Sequence, residues 1–294
     1  MDGMSSEETR ISKLPIWVGR IRMEPLDGGL TNRNYLVRDS KRRAVVRLGS
    51  DIPHHHVYRA NELAASRAAH AAGVSPEVLY AEPGILVLDY IEGITLTEDD
   101  VRTSGYLQRI IPLIHAAHSR IPEHLDGPSM NFDVFAILQD YRKTLKREGS
   151  QYIKKLPELL KIAAGLEKAA GVSETIFGHN DLLAANFLDD GKRLWLIDWD
   201  YAGFNTPLFD LGGLASNNGF SEEMQRGLLE SYFSAPLDIA RWRQFMAMKT
   251  ASLLRETMWS MVSEMMSDLD FDYAAYTEEN IKRFEQAYDE FRQI

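Results

Sequence analysis

The strongest constraint on the fold lies in residues 176–210, IFGHNDLLAANFLDDGKRLWLIDWDYAGFNTPLFD. Leu194-Trp195-Leu196-Ile197 has the β-branched and aromatic character of a buried strand, and it ends at Asp198. Asp189-Asp190-Gly191-Lys192, just before it, is turn chemistry. A hairpin is therefore predicted, with Asn186 and Asp198 on its two arms. Upstream, His179-Asn180-Asp181 precedes Asn186, and Asp181 and Asn186 stand five residues apart.

Two carboxylates and an amide gathered at strand ends suit phosphoryl transfer. That reaction needs a group to accept the hydroxyl proton and oxygen ligands for Mg²⁺. Asp181 fits the base, and Asn186 and Asp198 fit the metal ligands. Magnesium keeps part of its water shell, so one carboxylate and one amide suffice beside nucleotide phosphates. Either fragment alone reads as a polar turn or a strand end. Their order and spacing together favour the catalytic reading.

His-Asn-Asp, four residues, Asn, then Ile-Asp-aromatic-acidic-Tyr-Ala resembles the choline/ethanolamine kinase branch of the aminoglycoside-phosphotransferase-like kinases. The match continues through Asn205 and Phe209-Asp210-Leu211. Protein kinases proper have Arg in place of Asn180 and Asp-Phe-Gly in place of Asp198-Trp199-Asp200. The resemblance implies an α+β, protein-kinase-like fold of two lobes, a small β-rich one with one helix and a larger, mainly helical one. It also implies use of ATP and Mg²⁺. In it His179 and Asp210 are structural residues of the site, Asp210 bracing the catalytic loop through backbone N–H bonds. Ordinary helix capping is the alternative for Asp210.

The first part of the chain reads as strands over 21–26, 35–38 and 44–48, separated by turn residues. A glycine-containing loop between strands lets backbone N–H groups approach phosphates. Gly28, Gly29, Thr31 and Asn32 occupy that loop and resemble the family's phosphate loop. Arg47 falls where protein kinases place the phosphate-binding Lys, and its planar fork serves phosphate oxygens as well. Residues 57–72 read as a helix ended by Gly73, with Glu62 a candidate partner for Arg47 and a solvated Glu the alternative. His54-His55-His56 reads as an exposed loop, because three consecutive side chains do not converge easily on one ion. After a buried strand over 84–88, residues from Asp89 to Ile91 form the expected hinge to the adenine edge. The lobes are accordingly 1–91, binding nucleotide, and 92–294, holding the catalytic and acceptor sites.

Composition narrows the alternatives. The 43 Asp and Glu against 33 Lys and Arg give a net charge of −10 without a basic cluster, which argues against nucleic acid. There are no cysteines, so disulfides, thiolate zinc sites and cysteine nucleophiles are excluded. The first residues lack the basic and apolar regions of a secretory signal, and no apolar run is long enough to span a bilayer. A cytoplasmic protein is expected.

The rest of the chain reads as helical: 106–119 with a break or late start at Pro112, then 132–147, 153–170, 211–218, 221–233, 245–266 and 277–291. His115 and His118 read as a helix face, not a metal pair. Within 245–266 a Met-rich stripe faces the core, while Ser252, Glu256, Trp259 and Ser263 share the opposite face. A Trp beside a Glu there can hold a cation, the alternative being that another helix covers Trp259. Trp259-Ser260-Met261-Val262 resembles the run lining the family's choline site, with Tyr276 a second aromatic wall. Glu256 stands where the family has another Trp, and Asn217 where it has a Glu. The acceptor expected is a small hydroxylated amine meeting Asp181, Glu256, Trp259 and Tyr276. The same chemistry on an aminoglycoside, thiamine or a sugar is the sibling reading, and a binding protein without turnover is the non-enzymatic one. Oligomeric state is not fixed by the sequence, a homodimer being one arrangement it permits.

Overall fold

The computed structural model describes residues 5–26 and 32–294. The expected phosphate-loop residues Gly28, Gly29 and Thr31 lie outside the described residues. Helix α1, Ser6–Ser12, starts with a Ser5–Glu8 capping box and buries Ile11. Strands β1 (Arg22–Leu26), β2 (Arg33–Arg38) and β3 (Arg43–Leu48) follow, then helix α2 (Arg59–Ala71) and strands β4 (Val78–Glu82) and β5 (Ile85–Asp89). They form one antiparallel sheet in the order β1-β2-β3-β5-β4. Pro25 is tolerated because β1 is an edge strand.

Alternation along β3 decides what this sheet offers the site. Ala44, Val46 and Leu48 join a cluster with Ile11, Val37, Ile85 and Val87. Val45 and Arg47 then necessarily point to the other face. Helix α2 does not belong to that cluster: Ala65, Ala68 and Ala69 pack into the large core of the remaining chain.

That remaining chain begins with β6 (Ile94–Thr95), α3 (Glu98–Val101), α4 (Ser104–His124), β7 (Met130–Asn131), α5 (Val134–Arg147) and α6 (Leu156–Ala170). Pro112 and Pro122 both lie inside α4, which Thr103 caps, so Pro112 does not delay the helix start. Short strands β8 (Ile176–Gly178), β9 (Phe187–Asp189), β10 (Leu194–Leu196) and β11 (Gly203–Asn205) come next, then α7 (Pro207–Asn217), α8 (Glu222–Phe233), α9 (Ile239–Met266) and α10 (Tyr273–Arg292). Two three-stranded sheets, β10-β9-β6 and β7-β11-β8, carry the loops of the site.

Helix α9 is the axis of this part. It is buried on nearly all sides, from Trp242 to Ser263, and packs against α5, α6, α7 and α10. At Gly212 of α7 an added Cβ would stand 2.8 Å from the Lys249 backbone, so the two helices approach only because that residue is glycine. Among the described residues no helix is long and apolar enough to cross a membrane.

Candidate active site

The loop between β8 and β9 is held from below by one buried carboxylate. Asp210, on the first turn of α7, accepts the backbone N–H of His179 at 2.7 Å and of Asn180 at 2.6 Å. Its Oδ2 also meets His118 Nε2 at 2.9 Å. Thr206, not Asp210, caps α7. Burial works to raise the Asp210 pKa, but the His118 hydrogen bond, the charges of His118 and His179 and the backbone donor outweigh it and hold the group below the usual carboxylate range.

The loop is also strained where it turns. Asn180 takes a left-handed φ of 64°, and its side chain compensates by donating to the Tyr201 carbonyl at 3.0 Å and the Gly203 carbonyl at 3.2 Å. Asn205 Nδ2 donates to Asn180 Oδ1 at 2.9 Å. A Cβ at Gly178 would lie 2.9 Å from that same oxygen. His179 is buried, its Nε2 2.9 Å from the Ile197 carbonyl, and burial depresses its pKa.

Asn186 immediately precedes β9, and its carbonyl accepts Ile197 N–H at 3.0 Å just past β10. The hairpin therefore sets Asn186 beside Asp198, which itself has a left-handed φ of 71°. Asn186 Nδ2 donates to the Asp181 carbonyl at 2.8 Å, which leaves its Oδ1 for another partner. The Asp181 carboxyl is pushed up to about 8, first by burial and then by Glu256, Asp198 and Asp200, with Arg255 opposing.

Arg47 enters from β3 and ties the sheet to this hairpin. Its Nη1 donates to Glu62 at 2.7 Å, Asp198 at 2.7 Å and Asp200 at 3.2 Å. Glu62 is 2% exposed, so it is the partner of Arg47 and not a solvated residue. Arg59 donates to Glu62 at 2.7 Å and Asp200 at 2.9 Å, and Asn32 donates to Asp200 at 3.0 Å. Sequence reasoning missed Arg59 and Asp200. Their signals were Arg59 three residues before Glu62 and a second acid two residues after Asp198.

Between the first sheet and this hairpin lies a cleft of about 370 Å³. Val45, Leu88 and Ile91 line it on one side and Leu188 and Ile197 on the other, with Asp89 at the hinge and Arg47, Asn186 and Asp198 at the inner end. An apolar slot with polar groups at one end suits a nucleotide. The donor set also fits Mg²⁺, since Asn186 Oδ1 and the Asp198 carboxylate are hard oxygens. Among the described residues no three His, Asp or Glu side chains form a metal cage, and a magnesium shared with phosphates needs none.

The expected acceptor residues come together, with one correction. Glu256 Oε1 accepts the Tyr276 hydroxyl at 2.7 Å, and its Oε2 accepts Arg255 Nη1 at 3.1 Å. Arg255, another residue the sequence did not flag, is buried 4.2 Å over the Tyr201 ring. Trp259 does not stand on a polar face: it is buried, because the opposite side of α9 is covered too. Its Nε1 donates to Tyr201 Oη at 2.9 Å, its ring stacks on His55 at 4.7 Å, and Tyr276 meets its edge at 6.5 Å. His55 is likewise buried, not part of an exposed loop. Trp259→Leu should consequently lower stability by about 2–4 kcal/mol, the range for emptying a large aromatic site, as well as raise the acceptor KM. Urea unfolding measures it; a loss under about 1 kcal/mol would mean the site repacks without the indole.

The phosphotransferase enzyme family matches residues 22–246 of this chain. Protein LicA of Haemophilus influenzae is 25% identical over 275 residues, which cover 89% of this chain and 77% of that protein. Ethanolamine kinase 2 of Mus musculus is 24% identical over 303 residues, covering 92% and 76%. Among solved structures, a choline/ethanolamine kinase family protein from Mesorhizobium loti superposes with a TM-score of 0.77 at 28% identity, over 97% of this chain and 95% of that one. The fold is thus the α+β, protein-kinase-like one that the motif implied. With the motif, the clamped loop and the match over most of its length, the chain belongs to the phosphotransferase enzyme family and is an ATP-dependent kinase.

Proposed function

We propose that the protein transfers the γ-phosphate of ATP to the hydroxyl of a small cationic amino alcohol. Residues 1–91 serve as the nucleotide lobe and 92–294 as the catalytic and acceptor lobe, and the reaction runs in the cytoplasm. The observation that carries this reading is the pinned loop: Asp181 is in contact with Asn186, and Asn186 and Asp198 line a nucleotide-sized cleft.

Asp181 orients the acceptor hydroxyl and takes its proton as the oxygen attacks the γ-phosphorus. Asn186 and Asp198 would hold Mg²⁺, which when bound supplies positive charge against the phosphates. Arg47 spends only Nη1 on its three carboxylate partners, which leaves Nη2 for phosphate oxygens. Glu62 and Arg59 keep that guanidinium in place. Asp89 and Ile91 border the cleft where the adenine edge sits, and Gly28, Gly29, Thr31 and Asn32 are assigned to the phosphates by the resemblance. On the acceptor side Glu256 supplies the negative charge, while Trp259 and Tyr276 exclude water. The names of the relatives, choline/ethanolamine kinase and ethanolamine kinase, support the amino-alcohol class.

Asp198→Ala should abolish the Mg²⁺-dependent gain in ATP affinity, because an uncharged amide alone holds the ion weakly. Calorimetric titration of ATP with and without Mg²⁺ checks this; a mutant with the full Mg²⁺ gain removes Asp198 from the role. The acceptor class is tested by ADP release across amino alcohols, their neutral isosteres, sugars and an aminoglycoside. Amino alcohols should give the highest kcat/KM. Equal turnover of a neutral isostere contradicts the cationic acceptor.

A further inference from the structure

Strand β2 carries one residue that its own packing does not explain. Val37 belongs to the hydrophobic cluster on one face of the first sheet, and Tyr35 packs against that cluster. Asn34 and Leu36 alternate with them and so turn to the other face, the one that Val45 and Arg47 share. Register agrees: Asn34 is the Cα partner of Arg47 on β3 and of Leu26 on β1. Leu26, Asn34 and Arg47 all line the cleft of about 370 Å³ that Asn186 and Asp198 close at its inner end.

Asn is a poor strand former, and a half-buried amide without partners costs stability. The Asn34 side chain makes no hydrogen bond among the described residues, and its Oδ1 is enclosed. Nδ2 is not enclosed, which leaves a donor on the cleft wall. Strand register fixes which end of the cleft this donor serves. Val37, Ala44 and the hinge residue Asp89 form one row across the sheet, and Asn34, Arg47 and Leu86 form another. Three residues separate the rows, about 10 Å at the rise of a strand. Asn34 is therefore remote from the adenine edge and level with the Arg47 guanidinium.

We propose that Asn34 is a further nucleotide-binding residue, its side-chain amide donating to a phosphate oxygen of ATP beside Arg47. This rests on the reading of the cleft as the nucleotide site. Side chains directly opposite on paired strands stand about 5 Å apart at Cβ, so the two reach the same anion. Like charges in that relation repel, and a neutral donor suits the position better than a second cation. A donor to a phosphate oxygen makes a charge-assisted hydrogen bond, which offsets what the unpaired amide costs the fold.

The test is calorimetric affinity for ATP and for adenosine in wild type, Asn34→Leu and Asn34→Asp, with urea unfolding of each protein without nucleotide. Asn34→Leu should weaken ATP about 10- to 100-fold, the worth of a hydrogen bond to a charged group, and leave adenosine within about twofold. Its urea midpoint should equal or exceed that of wild type, since an unpaired acceptor is removed from a strand. Asn34→Asp, the same shape without the donor, should weaken ATP further. ATP affinity within about twofold of wild type in Asn34→Leu, or adenosine weakened as much as ATP, overturns the proposal. So does a loss of stability that accompanies the loss of affinity, which would make Asn34 a structural residue. Val45→Trp tests the cleft reading separately: it fills the apolar slot and should abolish binding of both ligands. If that variant folds and binds ATP as wild type does, the nucleotide lies elsewhere, and the inference falls with that reading.

Discussion

Asp181→Asn is expected to cut acceptor-dependent turnover by at least about 10²-fold while nucleotide affinity stays close to wild type. The amide keeps the shape of the carboxylate and its backbone contact with Asn186, so only proton acceptance and hydroxyl orientation are lost. The same change should stabilise the fold at high pH. Burial and the neighbouring acids lift the Asp181 pKa to about 8. Between the ordinary value near pH 4 and about 8 the native state therefore holds more protons than the unfolded one. Its contribution to stability then falls as pH rises through that window. Asp181→Asn should be more stable by about 1–3 kcal/mol at pH 8 without Mg²⁺, and equal to wild type below about pH 4. Parallel urea titrations at the two pH values read this directly. A variant that is inactive but no more stable at pH 8 would mean that the carboxylate is solvated in the free protein.

Asp210→Ala should have the largest effect on the fold. It strips the acceptor from two backbone N–H groups and from His118 at a residue that is 1% exposed. Breaking a buried pair of this kind costs about 3–5 kcal/mol. The left-handed turn at Asn180 loses its support as well, so turnover should fall with stability. Asp210→Asn, which keeps one acceptor oxygen, should recover part of both. A loss in Asp210→Ala below about 1 kcal/mol, with turnover intact, would show that the loop is held by Asn180 and Asn205 alone.

Some of this was legible in the sequence for physical reasons. The hairpin carrying Asn186 and Asp198 was visible because an apolar run abutted turn chemistry, and Arg47 was singled out because it falls on the third strand, where protein kinases place the phosphate-binding Lys. The pairing of Arg47 with Glu62 was one of two readings, offered by analogy with the strand Lys and helix Glu of protein kinases, because an Ala-rich helix gives little register. Strand β4 escaped because VLYAE has no clean alternation, and its residues are only half-buried. His118 escaped because its partner Asp210 is 92 residues away, and a lone i,i+3 histidine pair looks like a helix face. The sequence left open whether Trp259 is covered, because periodicity reports which residues share a face, not what covers it. Here His55, 204 positions earlier in the chain, does so. Tyr201 and Arg255 became site residues only through α9 packing on the β10–β11 loop.

In the proposed reaction the γ-phosphoryl group passes from ATP directly to an amino-alcohol hydroxyl under Asp181. The most direct measurement is a single incubation with γ-labelled ATP, Mg²⁺ and 2-aminoethanol, with the label followed into product by mass spectrometry. The label should appear as one phosphoryl group on the hydroxyl oxygen, in step with ADP, for wild type and not for Asp181→Asn. Label found only in inorganic phosphate, or phosphorylated product formed equally by the Asn variant, would contradict it.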